Sequence, residues 1–233
     1  MSLDYSIATI MGRLANWSGF PKYQLERRID IFITPFLERY FSRKLGGDAL
    51  LVAPEFPLPR RLAEEVPVGK EDADALTVNV DYLLHVARAA GAPSAWVFLE
   101  LKTDAGSFKP RQDRAYRRAR DEVGMVSLRA ELTDVRDASK KHHAKYDRLI
   151  RHLERLGFDD DRIEVAYLAP EPSGGFPDRE SEENFTRYFS LADFAAQPTG
   201  RVVHEHRELW AYVRDILRTL DPGPRGRRST RVL

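Results

Sequence analysis

Thr77-Val78-Asn79-Val80-Asp81-Tyr82-Leu83-Leu84-His85-Val86 and, beyond Ala87 to Ala95, Trp96-Val97-Phe98-Leu99-Glu100-Leu101-Lys102 are the stretches that decide the fold. Both runs are rich in β-branched and apolar residues and have the length of strands. Gly91 and Pro93 between them are turn formers, so the pattern predicts a strand, a loop and an antiparallel return strand. Asp81 stands inside a run that would otherwise hide most of its side chains. Side chains two apart on a strand share a face, so Glu100 and Lys102 project together, with Phe98 just upstream. Val97, Leu99 and Leu101 then pack on the other face. Antiparallel pairing can bring Asp81 alongside Glu100.

Toward the N-terminus, Leu25, Ile29, Phe32, Ile33, Phe36, Leu37, Tyr40 and Phe41 recur at three- and four-residue steps, predicting a helix within Pro21 to Leu45. Pro35 is expected to bend or divide it, and Gly46 and Gly47 to stop it. Ala49 to Phe56 reads as a short strand, and Pro57 to Asp74 as an irregular connection. On the C-terminal side, Gln112 to Glu122 reads as a helix entered after Pro110 and ended near Gly124. One longer helix is expected next, its stripe running from Leu128 through Leu132, Val135, Tyr146, Leu149 and Leu153 to Leu156, with Gly157 closing it. Ile163 to Ala169 has strand length, Pro170 to Glu183 is loop-like, Tyr188 to Phe194 reads as an edge strand, and Val202 to Leu220 as the last helix. No internal repeat is visible. This order predicts one α/β domain over residues 1–221, with 222–233 as a basic, flexible tail.

The 233 residues suffice for a full core. Hydrophobic content of 42% and charged content of 31% are those of an ordinary soluble protein. Thirty-seven basic against 36 acidic residues leave a net charge of +1, so an anionic partner would have to be drawn by a local patch. The absence of cysteine excludes disulfides, thiolate zinc sites and cysteine nucleophiles, and fits a cytoplasmic setting. No apolar run approaches the ~20 residues that span a bilayer. Met1 to Ile10 lacks the pattern of a secretion signal.

Two carboxylates brought together repel unless something positive relieves them. A hard divalent cation does so, and oxygen ligands with retained waters suit magnesium. Such an ion can activate water and stabilise charge on a phosphate, and an adjacent lysine can help. The order Asp81, then nineteen positions later Glu100-Leu101-Lys102 on an apolar return strand, resembles the signature of the PD-(D/E)XK nuclease superfamily. Val80 stands where the family often has proline, a departure many members share. Gln112 and Tyr116, four apart on a helix, resemble the Gln-x-x-x-Tyr element of RecB-like and lambda-exonuclease-like members. The resemblance covers Glu26 to Tyr116 and extends more weakly to Phe194.

That resemblance implies a restriction-endonuclease-like core, a central mixed β-sheet flanked by α-helices, and a nuclease acting on DNA with Mg2+ or Mn2+. Asp81 and Glu100 would hold the metal, with the Leu101 carbonyl and Glu26 as further ligands and Glu38 as second choice for the helix glutamate. Lys102 would assist catalysis, and Gln112, Tyr116, Lys109 and Arg111 would border the DNA. A homodimer would suit double-strand cutting. The alternative is a catalytically inactive protein of the same fold that binds nucleic acid or protein; a hydrolase of other phosphoesters is a third reading.

Plainer readings stand beside these. Asp81, Glu100 and Lys102 could form a mere cross-strand ion pair, and Glu55 is either a carboxylate neighbouring the metal or, the preferred reading, a strand-edge charge. Arg114, Arg117, Arg118 and Arg120 are interleaved with Asp113, Asp121 and Glu122, so a solvated helix competes with a phosphate-tracking face. His142-His143 and His204-x-His206 lie at spacings that do not converge on one metal. Ser190 lacks a nucleophile turn, and Gly174-Gly175 is no phosphate-binding fingerprint. The arginines at 225, 227, 228 and 231 read as a disordered basic end or a DNA contact.

Overall fold

The structure is a computed structural model that describes residues 26–63, 77–88, 92–104, 107–139, 141–170, 186–196 and 206–221; of 26–28 it describes the backbone alone. The secretion-signal reading of Met1 to Ile10, most of the loop after Pro170, Gly174-Gly175, His204 and the basic tail lie outside them.

Five strands form one mixed sheet in the order β1 (Gly47–Pro59), β2 (Thr77–Arg88), β3 (Ala95–Leu101), β4 (Ile163–Ala169) and β5 (Thr186–Ser190). β1, β2 and β3 run antiparallel as a meander, whereas β4 and β5 join parallel. All residues of β3 and β4 are buried, as expected of strands covered on both faces. The expected α/β class and flanked mixed sheet are therefore present.

Helix α1 (Glu26–Leu45) packs on one face with α5 (Leu191–Ala196) and α6 (Arg207–Leu220). There Ile33, Leu37 and Phe41 meet Leu84, Val97 and Leu99 from the sheet. On the other face lie α2 (Pro110–Arg118), α3 (Met125–Ala138) and α4 (His143–Leu156), whose Tyr116, Leu128 and Leu153 meet Phe98 and Val165. Alternate side chains along β3 and β4 thus feed two separate cores, whereas in β1 and β2 the alternation is interrupted, with Val52 and Ala53, and Val80 and Leu83, entering the same core.

Pro35 does not divide α1, which continues through it. Proline cannot donate to the carbonyl of Ile31 one turn earlier, but the Thr34 hydroxyl donates to that oxygen at 2.8 Å. The exposed position of Ile31 also leaves its turn open to water. Gly46, at φ +70°, ends the helix as expected.

β1 is longer than the apolar pattern implies and carries an irregularity: Leu51 pairs with Leu84 but Ala53 pairs with Leu83. The extra residue, Val52, loses its ladder partner. Side chains from both layers serve the interrupted backbone. The Glu38 carboxylate accepts the Leu51 N–H at 2.8 Å, and a His152 ring nitrogen lies 3.0 Å from the Val52 carbonyl. A single 3-10 turn, Arg60–Ala63, follows β1.

The long helix expected from Leu128 to Leu156 is two. α3 ends at Ala138, where Ser139 leaves helical geometry. Leu128 and Leu132 of α3 and Leu149, Leu153 and Leu156 of α4 reach the same core, which is why they read as one stripe. α2 likewise gives way to a π-helical turn, Ala119–Val123, before Gly124. Gly124 has φ +80°, and the Asp161 carboxylate fills the space a side chain would take. That carboxylate accepts the Val126 N–H at 2.8 Å, capping α3 from a distant segment. The edge strand expected over Tyr188 to Phe194 stops at Ser190. Leu191 and Phe194 instead turn into α5 and enter the first core, with the Ser190 hydroxyl accepting the Asp193 N–H at 2.9 Å.

Candidate active site

Strand register assembles the site. Tyr82 pairs with Leu99, the last pair of the β2–β3 ladder, and just beyond it the Asp81 carboxylate reaches the Leu101 N–H. Pro54 pairs with Tyr82 and Phe56 with Val80, which leaves Glu55 and Asp81 between two ladder pairs of the neighbouring strands. Glu100 in turn pairs with Tyr167, and Tyr167 with Tyr188. Glu55, Asp81 and Glu100 thus come from three neighbouring strands. All three line a cavity of about 500 Å³, together with Leu101 and Lys102. Glu55 has φ +50°, the only non-glycine residue among those described with a left-handed backbone; such a conformation is uncommon outside glycine and asparagine.

Asp81 is oriented by its own hairpin, for its Oδ2 accepts the Leu101 N–H at 2.8 Å. Glu100 is buried, and both its oxygens are engaged: Oε1 with the Lys102 ammonium, Oε2 with the Tyr116 hydroxyl. Lys102 is itself buried, so the pair stands in low dielectric, where each charge depends on the other. The Tyr116 oxygen also lies 2.9 Å from the Asn79 carbonyl. Gln112 donates to the Tyr116 oxygen at 2.6 Å and to the Asn79 carbonyl at 3.1 Å. Burial, and then the neighbouring Glu100 charge, push the Tyr116 hydroxyl well above its ordinary range. It stays protonated and serves Glu100 as a donor.

One residue along α2, buried Asp113 accepts the Tyr167 hydroxyl at 2.8 Å and pairs with Arg117. Burial and Asp113 raise the Tyr167 hydroxyl in the same way. Helix α2 is therefore tied to the sheet on both sides of Glu100.

The sequence expectations fare unevenly. Asp81, Glu100, Leu101, Lys102, Lys109, Arg111 and Gln112 all meet at the cavity. Tyr116, expected to border DNA, is instead wholly buried beneath Glu100. The phenol reaches the carboxylate because α2 lies over the sheet face that also carries Phe98. The Glu26 side chain lies outside the described residues. Glu38 is spent on the irregularity of β1 and does not line the cavity. The acid that α1 does bring to the cavity is Asp30, one turn beyond Glu26; the helical repeat could have offered it. Glu55 belongs to the cavity wall, with Asn79 donating to it at 3.1 Å. Arg117, Arg118 and Arg120 pair with Asp113, Glu122 and Asp121, so they form no free phosphate track. His143 faces Asp147 at 3.2 Å, and His142 and His206 are exposed residues at helix starts.

Among the described residues no three histidine, aspartate or glutamate side chains gather closely enough to hold an ion by themselves. Two carboxylates opening on one cavity are nevertheless a donor set that fits magnesium, which is commonly held by one or two carboxylates plus water and substrate oxygens. Asp81 and Glu100 meet that description, and the hard oxygen donors exclude a preference for soft metals. No protein-family model, curated protein or solved structure matches the chain.

Proposed function

We propose that this protein is a metal-dependent nuclease that hydrolyses phosphodiester bonds of DNA, using Mg2+ or Mn2+ at Asp81 and Glu100. The observation that supports it is the meeting of two carboxylates and one buried ammonium on neighbouring strands at a single cavity. A bare ion pair on a solvated sheet face would need neither the burial of Lys102 nor the second donor from Tyr116.

When bound, the cation supplies activation of water and neutralisation of charge on the phosphate. The chain's own groups do the rest. Asp81, oriented by the Leu101 N–H, and Glu100, oriented by Tyr116, present oxygens to the ion, and the Leu101 carbonyl is a further donor. Lys102 carries a positive charge next to Glu100 at the cavity wall. From there it positions the attacking water or balances the charge that builds on phosphorus oxygens. Water adds to phosphorus and gives up a proton to solvent, the ester P–O bond breaks, and the leaving oxygen takes up a proton from solvent. Lys109 and Arg111, on the same cavity, meet flanking phosphates. Gln112 holds Tyr116 and through it Glu100.

Calorimetric titration of manganese into the wild type and Glu100→Gln, run beside a plasmid-nicking assay, tests this reading. Wild-type protein should bind manganese and nick DNA; Glu100→Gln and Asp81→Ala should lose both. Binding heat that survives Glu100→Gln unchanged removes the metal from that residue. DNA binding without metal-dependent nicking in the wild type would identify a non-catalytic binding module instead.

A further inference from the structure

Helix α4 carries a row of cations remote from the cavity. Lys145, Arg148, Arg151 and Arg155 are all exposed and recur at steps of three, three and four, hence on one helix face. Arg148, Arg151 and Arg155, with Glu154, line a shallow concavity of about 410 Å³. The opposite side of α4 is anchored, with Leu149, Leu153 and Leu156 packed into the core that also holds Tyr116.

The cations of this row are not ion-paired, unlike many arginines elsewhere in the described residues. Arg88, Arg118, Arg120, Arg136 and Arg162 each hold a carboxylate, in keeping with a chain whose charges nearly cancel. Among the described residues none of Lys145, Arg148, Arg151 and Arg155 forms such a pair; the Arg155 Nε instead donates to the Arg151 carbonyl at 3.3 Å. Asp147, the acid nearest the row's start, is occupied by Arg136 and His143. Four cations against the single nearby carboxylate of Glu154, along about 15 Å of helix, span the axial rise of roughly four base pairs. Such a row matches a polyanion of regular charge spacing better than a single small anion.

Its place in the fold links it to the cavity. α4 lies on the same sheet face as the Tyr116–Glu100 contact. His152, on the flank of the row, meets the Val52 carbonyl of β1, three residues before Glu55 at the cavity wall. A strand advances ~3.3 Å per residue, so the point where His152 meets β1 lies about 10 Å or less along the strand from Glu55.

We infer that the α4 ridge of Lys145, Arg148, Arg151 and Arg155 is a second nucleic-acid contact, gripping the sugar-phosphate backbone of the strand whose phosphodiester enters the cavity. The choice of nucleic acid as the polyanion rests on the nuclease reading above. The ridge holds phosphates without reading bases, because the contacts are charge contacts from exposed, flexible side chains.

The test compares the wild type with the triple variant Arg148→Gln, Arg151→Gln, Arg155→Gln, and with a control of equal charge change on the opposite sheet face, Arg207→Gln, Arg214→Gln, Arg218→Gln. Binding of a labelled oligonucleotide, single-stranded and duplex, is followed by anisotropy without divalent metal between about 50 and 200 mM salt. Manganese-dependent turnover of bis(p-nitrophenyl) phosphate is followed in parallel. The ridge variant should bind at least roughly tenfold more weakly at low salt, with the slope of log affinity against log salt shallower by roughly 2 to 3. Its small-substrate turnover and the control's slope should equal the wild type's. Wild-type slope in the ridge variant, or equal losses in the control, overturns the inference while turnover keeps the nuclease reading intact. Wild-type protein that turns over the small substrate but binds no oligonucleotide overturns it as well. Wild-type protein that neither turns over nor binds is the separate signature of failure of the nuclease reading. Ridge-dependent binding to phosphatidylserine vesicles in preference to the oligonucleotide assigns the ridge to a membrane surface and also overturns it.

Discussion

At one end of the β2–β3 hairpin Asp81, Glu100 and Lys102 line an open cavity, while at the other end a second set of charged groups is closed off. There Arg88 grips both oxygens of buried Glu164, at 2.8 and 2.9 Å, with Arg162 at 3.1 Å. His85 lies between the Phe158 ring, stacked 3.8 Å away, and Trp96, with Asp160 2.7 Å from its Nε2. Trp96 donates to the Asp160 carbonyl at 2.8 Å. Glu164, His85 and Trp96 are buried and the Arg88 side chain is 9% exposed, while Arg162 and Asp160 stay about a third exposed, and their contacts tie β2, β3 and β4 together. At the cavity end the same kinds of groups are held just as firmly from behind, by Leu101 N–H and Tyr116, yet they face open space. Burial of charge in this protein therefore ties strands together at one end of the hairpin, and on the proposed nuclease reading would serve chemistry at the end that opens on the cavity.

The sharpest way to break this contrast is at the closed end. Arg88→Ala should lower the unfolding free energy by about 3 kcal/mol, because Glu164 stays buried with weaker partners. Urea denaturation measures it, and manganese binding should not change. A loss below about 1 kcal/mol would put the pair on a level with a surface contact.

At the open end Glu100→Gln should cut metal-dependent turnover by roughly a hundredfold or more. The amide keeps an acceptor for Lys102, so the stability loss should be smaller than for Arg88→Ala. The reverse ranking, stability lost and manganese heat kept, would make the cavity end a second structural cluster.

Tyr116→Phe sharpens the comparison further. It deletes the donor behind Glu100 without touching the cavity surface. Turnover should fall by about tenfold with manganese still bound, and stability by about 1 kcal/mol. The same variant has a signature in alkali. Tyr40, Tyr116, Tyr167 and Tyr188 all have hydroxyls raised above the ordinary value of 10.0, chiefly by burial. Below that value each keeps its proton in both folded and unfolded chains, and pH has no leverage. Above it the unfolded chain releases protons that the folded one retains, so stability falls as pH rises, by up to about 1.4 kcal/mol per pH unit for each tyrosine. Tyr116→Phe should make that decline shallower by one tyrosine's share, measured by denaturation between pH 9 and pH 11 (roughly the range where a free phenol titrates). An unchanged slope would mean that the Tyr116 proton is not held by the fold.

The antiparallel hairpin and the gathering of its polar groups at one cavity were legible in the chain itself, because they depend on short-range geometry. Alternation of period two puts Glu100 and Lys102 on one side of the chain, and two apolar runs joined by a short turn bring Asp81 near Leu101 and Glu100. Gln112 and Tyr116 were likewise paired by the helical repeat. Tertiary packing decided everything that depends on a partner far away in sequence. It buried Tyr116 under Glu100 and spent Glu38 on the interrupted backbone near Leu51. It swung Glu55 and Asp30 into the cavity wall, and it split one apolar stripe into α3 and α4 around a shared core. A periodic pattern states which residues share a face, but not which neighbour that face will meet, because the neighbour is chosen by the packing of the other helices and strands.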